Sequence, residues 1–264
     1  MSSLARRSFK TETSSQENTQ ALAASDVHYR LLYWDLSSVA ATARDMLSYG
    51  RAKWSNQIPT DDEWDNGKIA TPFRVLPILN IVLPDGKELF LAESIVIDHY
   101  LAKKFNLLGD NEWEECTIKA MYNNIHYLRE RSFRDVSFTY ADKRGVALER
   151  FLTSTLPAFI ADHDFHLKAN GSNGHFVGNK ISLADIHLAN IIDHFSHLPK
   201  GQVFTAQFRT SEAIWKVKEA VERQPDIAAW RASAECEVFV QGSINYYKCT
   251  AVPEESKAAD QNAL

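Results

Sequence analysis

Cysteine is scarce in this 264-residue chain: Cys116, Cys236 and Cys249 are its three. An odd count, scattered so widely, suits neither a disulfide framework nor a paired CxxC metal knuckle, and it fits a reducing compartment. Three free, dispensable thiols are expected. An excess of one charge is also missing. Twenty-nine Lys and Arg against 34 Asp and Glu give a net charge of -5 and a pI near 6.0, without the basic surplus that phosphate backbones demand. No nucleic acid partner is expected. Long apolar runs are lacking too, since no stretch reaches the roughly 18 unbroken apolar residues of a membrane span, so no membrane partner is expected. What is present is an ordinary globular composition, 45% hydrophobic and 24% charged. At a prior of about 150 residues per domain, the length allows one large domain or two small ones.

Residues 1–27 are rich in Ser, Thr, Gln and Ala and carry no hydrophobic period, so a disordered tail is expected there. Arg6, Arg7 and Lys10 beside serines have a flavour of a transit peptide, but Glu12 and Glu17 come too early for one. The polar stretch 253–264 reads as a second tail. Between them, Tyr29–Trp34 reads as a strand and Ala40–Tyr49 as a helix closed by Gly50. Phe73–Leu83 and Glu88–Ala92 read as strands around a Pro84-Asp85-Gly86 turn, and Ser94–Phe105 as a helix. Strand signals then cease. Ile118, Met121, Tyr122, Ile125 and Leu128 recur at helical spacing, as do Val146, Phe151 and Leu152, then Leu188, Ile191, Phe195 and Leu198, then Ile214, Val217 and Val221. The pattern predicts an α/β plus all-α chain, with a mixed domain over 28–106 and a helical one over 107–252.

Ser182 and Asp185 have the spacing of a capping box: the Ser182 hydroxyl can accept from the Asp185 amide while the Asp185 carboxylate reaches back to the Ser182 amide. That is a structural role, opening the apolar helix from Leu183 to Leu198. His163 with His166, and His194 with His197, are three apart on helices, yet no third ligand sits at metal-site spacing. No metal site is expected.

Five motifs in order resemble the cytosolic glutathione transferases: Tyr33 closing the first strand, Leu76-Pro77-Ile78-Leu79, Ala92-Glu93-Ser94-Ile95, Phe176-Val177-Gly178 with Ser182-Leu183-Ala184-Asp185, and Pro225-Asp226-Ile227-Ala228-Ala229-Trp230. The resemblance covers about residues 28 to 245. It implies a thioredoxin-like N-terminal domain that binds glutathione, followed by an all-helical C-terminal domain. It also implies a cytoplasmic homodimer serving in detoxification, with glutathione as co-substrate. Such an enzyme would activate the thiol and add it to, or isomerise, an electrophilic apolar small molecule. The alternative is a relative that kept the fold as a binding or regulatory protein and lost turnover.

The same resemblance implies the site. Pro77 would be cis, turning the backbone of Leu76 to pair with the cysteinyl unit of glutathione; an ordinary trans proline at a strand edge is the plainer reading. Glu93 would take the ammonium and Ser94 the γ-glutamyl carboxylate at a helix start, where free amides and the positive dipole end favour an anion; simple capping by Ser94 is the alternative. Trp64 and Lys68 match the pair that holds the glycyl end in the mu, pi, alpha and sigma-like members, or else are a packing anchor and a solvated charge. For the thiol, Tyr33 matches the donor of the tyrosine-type classes and Ser37 that of the serine-type classes, with a sigma-like tyrosine type favoured by register. Two departures leave the class open. Tyrosine-type relatives have an arginine and a glycine where this chain has Ser37, Ser38 and Val39, and Gln where it has Glu93. The acceptor site is expected on the first helices of the second domain, with Tyr122, His126 and Arg129 on one face and Phe133 beyond.

Overall fold

A computed structural model describes residues 5–253, which divide between Phe105 and Asn106 into two units. The first is built on four strands: β1 (His28–Leu32), β2 (Lys53–Gln57), β3 (Ile78–Val82) and β4 (Glu88–Ala92). Their order is β2-β1-β3-β4, with β1 parallel to β2 and antiparallel to β3, and β3 antiparallel to β4. Four helices accompany them: α1 (Ser15–Ala23), α2 (Ala41–Tyr49), α3 (Asp61–Asp65) and α4 (Ser94–Lys104).

Side chains alternate between the two faces of the sheet. Leu31, Leu79 and Ile81 are fully buried on one face, the face to which Tyr29 brings its ring against Tyr100 of α4. The helices α2 and α4 pack together, and α4 packs on β3 and β4. An ideal Cβ on Gly50, which follows α2, would stand 2.3 Å from the Phe105 ring, so only glycine lets that ring close behind the helix. On the other face, Leu32, Ile78 and Ala92 form a small cluster joined by Ile69, Leu76 and Phe90. Gly86 carries the positive φ of the β3–β4 turn, at +83°, where the chain reverses.

Three segments differ from the sequence reading. The expected disordered tail holds α1, which opens on a capping box of Ser14 and Glu17; its order comes from polar bonds and a few aromatic contacts, which composition does not register. The strand expected over 73–83 starts only at Ile78, because Pro77 has no amide to give to a ladder and Phe73 and Val75 remain exposed. Polar Lys53–Gln57 forms an edge strand that no hydrophobic alternation announced. The expected tail at 253–264 lies outside the described residues apart from Pro253.

The second unit is helical: α5 (Glu112–Ser132), α6 (Arg144–Arg150), α7 (Leu156–Ala169), α8 (Leu183–His197), α9 (Gly201–Phe208), α10 (Glu212–Glu222), α11 (Pro225–Arg231) and α12 (Ala234–Tyr247). Wider π-helical turns at Phe133–Ser137 and Phe151–Thr155 interrupt the run. The periodic residues lie where expected except Val146, which stays exposed. Almost all of α8 is buried, its polar Asp185, His187, Asn190 and His194 included, because it packs on α5, α9, α10 and α12. Its start is the expected capping box. The Asp185 carboxylate, fully buried, accepts from the Ser182 amide at 2.8 Å and from the Phe176 amide at 2.9 Å. The Ser182 hydroxyl adds a third bond to it at 2.9 Å. Farther along α8, Asp193 binds Lys218 of α10 at 2.6 Å and Arg231 of α11 at 3.0 Å.

Asp185→Ala would strand those donors in the interior and is expected to cost about 3 kcal/mol. Urea unfolding would read this; a loss below about 1 kcal/mol would contradict the role given to the box.

Acid should unfold this unit. Burial pushes the His163 imidazole down to about 4 from 6.5. It also lowers His194 and His197, with the Arg129 charge adding to the effect at His194. An unfolded chain takes up these protons near 6.5, whereas the folded one refuses them until much lower pH, so their stabilisation is complete above 6.5 and drains away below it. His163 alone accounts for about 3 kcal/mol once the pH reaches the folded value. Thermal melts from about pH 7.5 to about pH 4.5 should show the melting temperature falling steeply below about 6.5; a flat profile would contradict it.

Candidate active site

The sheet register gathers the predicted residues of the first unit. Leu32 stands opposite Ile78, and Ile78 opposite Ala92. The antiparallel sense therefore brings Tyr33 after β1, Pro77 before β3 and Glu93 after β4 to the same end of the sheet. The Leu76–Pro77 bond is cis.

Tyr33 continues the β1–β2 pairing for one more step, its amide donating to the Gln57 carbonyl at 3.1 Å. Its side chain is buried, at 6% exposure. The loop beyond it is tied down by Arg44 of α2, whose side chain is 2% exposed. The Arg44 Nη1 donates to the Leu36 carbonyl at 2.6 Å and Nε to Asn56 Oδ1 at 2.9 Å. Its Nη2 lies 3.5 Å from the Trp34 carbonyl, and the guanidinium carbon is 5.9 Å from the centre of the Tyr33 ring. A buried cation is tolerable when its N–H groups are matched in this way. In the sequence Arg44 is simply one residue of the helix expected over Ala40–Tyr49. The signal was an arginine on a face otherwise made of Ala40, Ala43 and Leu47, all buried.

Ser37 stands farther along, half-buried, leading into a short 3-10 turn at Ser38–Ala40. Trp34 meets Trp64 edge-on at 5.2 Å between ring centres, which joins α3 to the loop after β1. Lys68 is exposed and ion-paired with Asp62 at 2.5 Å. Glu93 is exposed and holds φ at +72°, a conformation that side chains other than Gly, Asn and Asp rarely adopt and that clusters at functional sites. Immediately after it α4 begins, with no side-chain cap and no acidic residue in its first turn. In contrast, α3, α5, α8, α10 and α12 all have side-chain caps. Ser94 therefore opens a helix without capping it, and the start of α4 is fitted to receive an anion.

The residues expected to line the acceptor site are packed differently. Tyr122 is fully buried with its ring 4.3 Å from that of His187 on α8. Arg129, also buried, donates to His126 Nδ1 at 3.1 Å, and Phe133 lies against His194 and Tyr247. These belong to the interior of the helical unit rather than to an open face, because α5 turns them toward α8. Among the described residues, no group of three or more His, Cys, Asp or Glu side chains is placed to hold a metal ion. Nor, among them, is any helix long and apolar enough to cross a membrane.

A cis-proline and a buried tyrosine at one end of a sheet of this topology, in a chain that continues into a helical unit, are the features of a thioredoxin-like fold with a helical C-terminal domain. Comparison with known proteins agrees. Residues 130–234 match the family model described as the glutathione S-transferase C-terminal domain. Probable glutathione S-transferase 7 of Caenorhabditis elegans is 34% identical over 169 residues, which cover 62% of this chain and 78% of that protein. Probable glutathione S-transferase 6 of the same organism is 28% identical over 211 residues, covering 76% and 98%. Among solved structures, the prostaglandin synthase D of Nilaparvata lugens aligns with a TM-score of 0.65 at 26% identity, covering 78% of this chain and 98% of that one. The chain belongs to the glutathione S-transferase family and is a glutathione transferase.

Proposed function

We propose that Tyr33 is the group that activates the glutathione thiol, and that the enzyme adds this thiol to, or through it isomerises, an electrophilic apolar small molecule. The observation carrying the assignment is the Leu32–Ile78–Ala92 row, which brings Tyr33, the cis Leu76–Pro77 bond and the open start of α4 to one end of the sheet.

Each part of the tripeptide then has a partner of the right chemistry. The γ-glutamyl carboxylate goes to the Ser94 amide and hydroxyl, in the favourable field of the α4 start. The exposed Glu93 carboxylate receives the ammonium. The main chain of Leu76 pairs with the cysteinyl unit, as an extended peptide pairs with a free backbone edge. Lys68 takes the glycyl carboxylate in exchange for Asp62, and Trp64 flanks it. The glutathione-binding domain is thus the stretch 28–106, which the first unit contains up to Phe105, and the stretch 107–252 is the helical domain.

A free thiol titrates near 8.5 and is mostly protonated at neutral pH. A phenol is an O–H donor there, and its bond to a thiolate is a charge-assisted one of about 1.5–3 kcal/mol, enough to lower the thiol pKa by about one to two units. Arg44 supports this role by holding the loop beside the Tyr33 ring; with its N–H groups turned to Leu36 and Asn56, it does not replace the loop arginine that relatives carry. Tyr33 is favoured over Ser37 because it directly follows the sheet, whereas Ser37 belongs to the next turn.

The reading includes a homodimer, for which the exposed apolar side chains of Ile58, Phe73 and Val75 offer contact surface. It also includes a cytoplasmic setting, in keeping with three cysteines that form no disulfide.

Tyr33→Phe is expected to lower turnover about 10- to 100-fold while changing glutathione affinity far less, and Ser37→Ala to be nearly silent. Steady-state kinetics on an accepted electrophile decide between them. An inactive Ser37→Ala beside an active Tyr33→Phe would move the catalytic role to Ser37.

A further inference from the structure

The arm that precedes β1 is unused by the glutathione reading, yet its contacts fall on elements that the site depends on. Its beginning lies parallel to the segment after α3. Arg6 pairs with Thr71, the Ala5 amide donates to the Gly67 carbonyl at 3.2 Å, and the Arg7 amide donates to the Thr71 carbonyl at 3.1 Å. Gly67 adjoins Lys68, and Thr71, 1% exposed, starts the run to Leu76 and Pro77.

The Arg7 side chain then reaches the sheet. Its Nη1 donates to Asn80 Oδ1 of β3 at 2.8 Å, and its guanidinium lies 4.0 Å from the centre of the Phe90 ring. Phe9 stacks on Phe90 at 5.3 Å and meets Phe73 at 5.6 Å. From there the arm crosses the β4 edge to α4, where Lys104 Nζ donates to the carbonyls of Leu22, Ala23 and Ala24 at 3.2, 2.9 and 2.6 Å. The Tyr100 hydroxyl adds a bond to the Leu22 carbonyl at 3.0 Å. These are separate tethers rather than a packed layer. No residue of α1 is buried, and a cleft of about 930 Å³ runs between the arm and β4.

We propose that this arm is a positioning element for the glycyl end of glutathione: by pairing with Gly67–Thr71 it holds the segment bearing Trp64 and Lys68 in its ligand-binding conformation. The proposal rests on the assignment of Trp64 and Lys68 made above. A segment that samples other conformations binds with an apparent affinity reduced by the fraction of time spent in the competent one. The arm removes that loss by occupying hydrogen-bond acceptors of the segment in advance of the ligand. The hydrogen bonds of Ala5 and Arg7 fall on Gly67, Thr71 and Asn80, whereas thiol activation is assigned to Tyr33, beside the loop that Arg44 ties down. The effect therefore falls on glutathione affinity and not on the chemical step.

The full-length protein, an Arg7→Ala/Phe9→Ala double variant and a chain lacking residues 1–26 are compared for glutathione KM, for kcat at saturating glutathione and for thermal unfolding. The double variant should show a KM raised roughly fivefold, and the shortened chain a larger rise, with kcat at saturation held within about twofold. An unchanged KM would overturn the proposal. So would a kcat that falls with the melting temperature at constant KM, since the arm would then serve stability alone. Should the shortened chain fail to fold, the double variant decides. Calorimetric titration of the full-length protein with reduced glutathione separates the two readings. No heat of binding there removes the glutathione site itself, whereas normal binding with unaltered KM in the variants removes only the role of the arm.

Discussion

The register in which β3 lies between β1 and β4 is the constraint on which the site depends. Side chains alternate with a period of two, so a slip of one residue would send Ile78 and Asn80 to the opposite face and draw Leu76-Pro77 away from Tyr33. The cluster of Leu32, Ile78 and Ala92 opposes such a slip, since each is nearly buried and none is polar. Apolar packing thus sets the relative position of three stretches far apart in the chain: Tyr33, the cis Leu76–Pro77 bond and the start of α4, which has no side-chain cap.

Around this frame, polar interiors fix what the sheet does not. Removing a cation from water costs several kcal/mol unless its donors are matched. Arg44 meets that condition by donating to the Leu36 carbonyl in the loop after β1 and to the Asn56 side-chain oxygen of β2. One side chain therefore ties the helix, the loop and the edge strand together beside Tyr33. Asp185 plays the corresponding part in the helical unit, gathering the amides of Phe176 and Ser182 at the start of α8. Both are buried charges whose worth lies in the conformation they impose, and neither is aimed at a substrate. Glu93 is of the other kind. Its positive φ is a local cost, accepted where the chain must leave β4 and begin α4 at once with its first amides open.

Most of the architecture is legible in the sequence, because its helices and central strands carry strong periods: Ile118 to Leu128, Leu188 to Leu198, and the hairpin around Gly86. The capping box at Ser182 and Asp185 reads from spacing alone. Other parts escape for physical reasons. Lys53–Gln57 is a half-exposed edge strand, so it shows no alternation. The order of the N-terminal arm depends on single bonds from Arg7, Phe9 and Lys104 to distant residues, which no local window contains. The site residues of the first unit are recognisable as short motifs, but that they share one end of the sheet is a property of the register. Tyr122, His126 and Arg129 look like a polar face in a helical projection. In the fold that face turns inward to α8, where His187 and Phe133 complete an interior that one helix cannot reveal.

The central claim is that this arrangement makes a thiolate of bound glutathione at neutral pH, and the ultraviolet absorbance of that thiolate, followed against pH in the saturated complex, tests it most directly. The account predicts a midpoint about one to two units below the value near 8.5 of an ordinary free thiol. A bound thiol that titrates with free glutathione would contradict it.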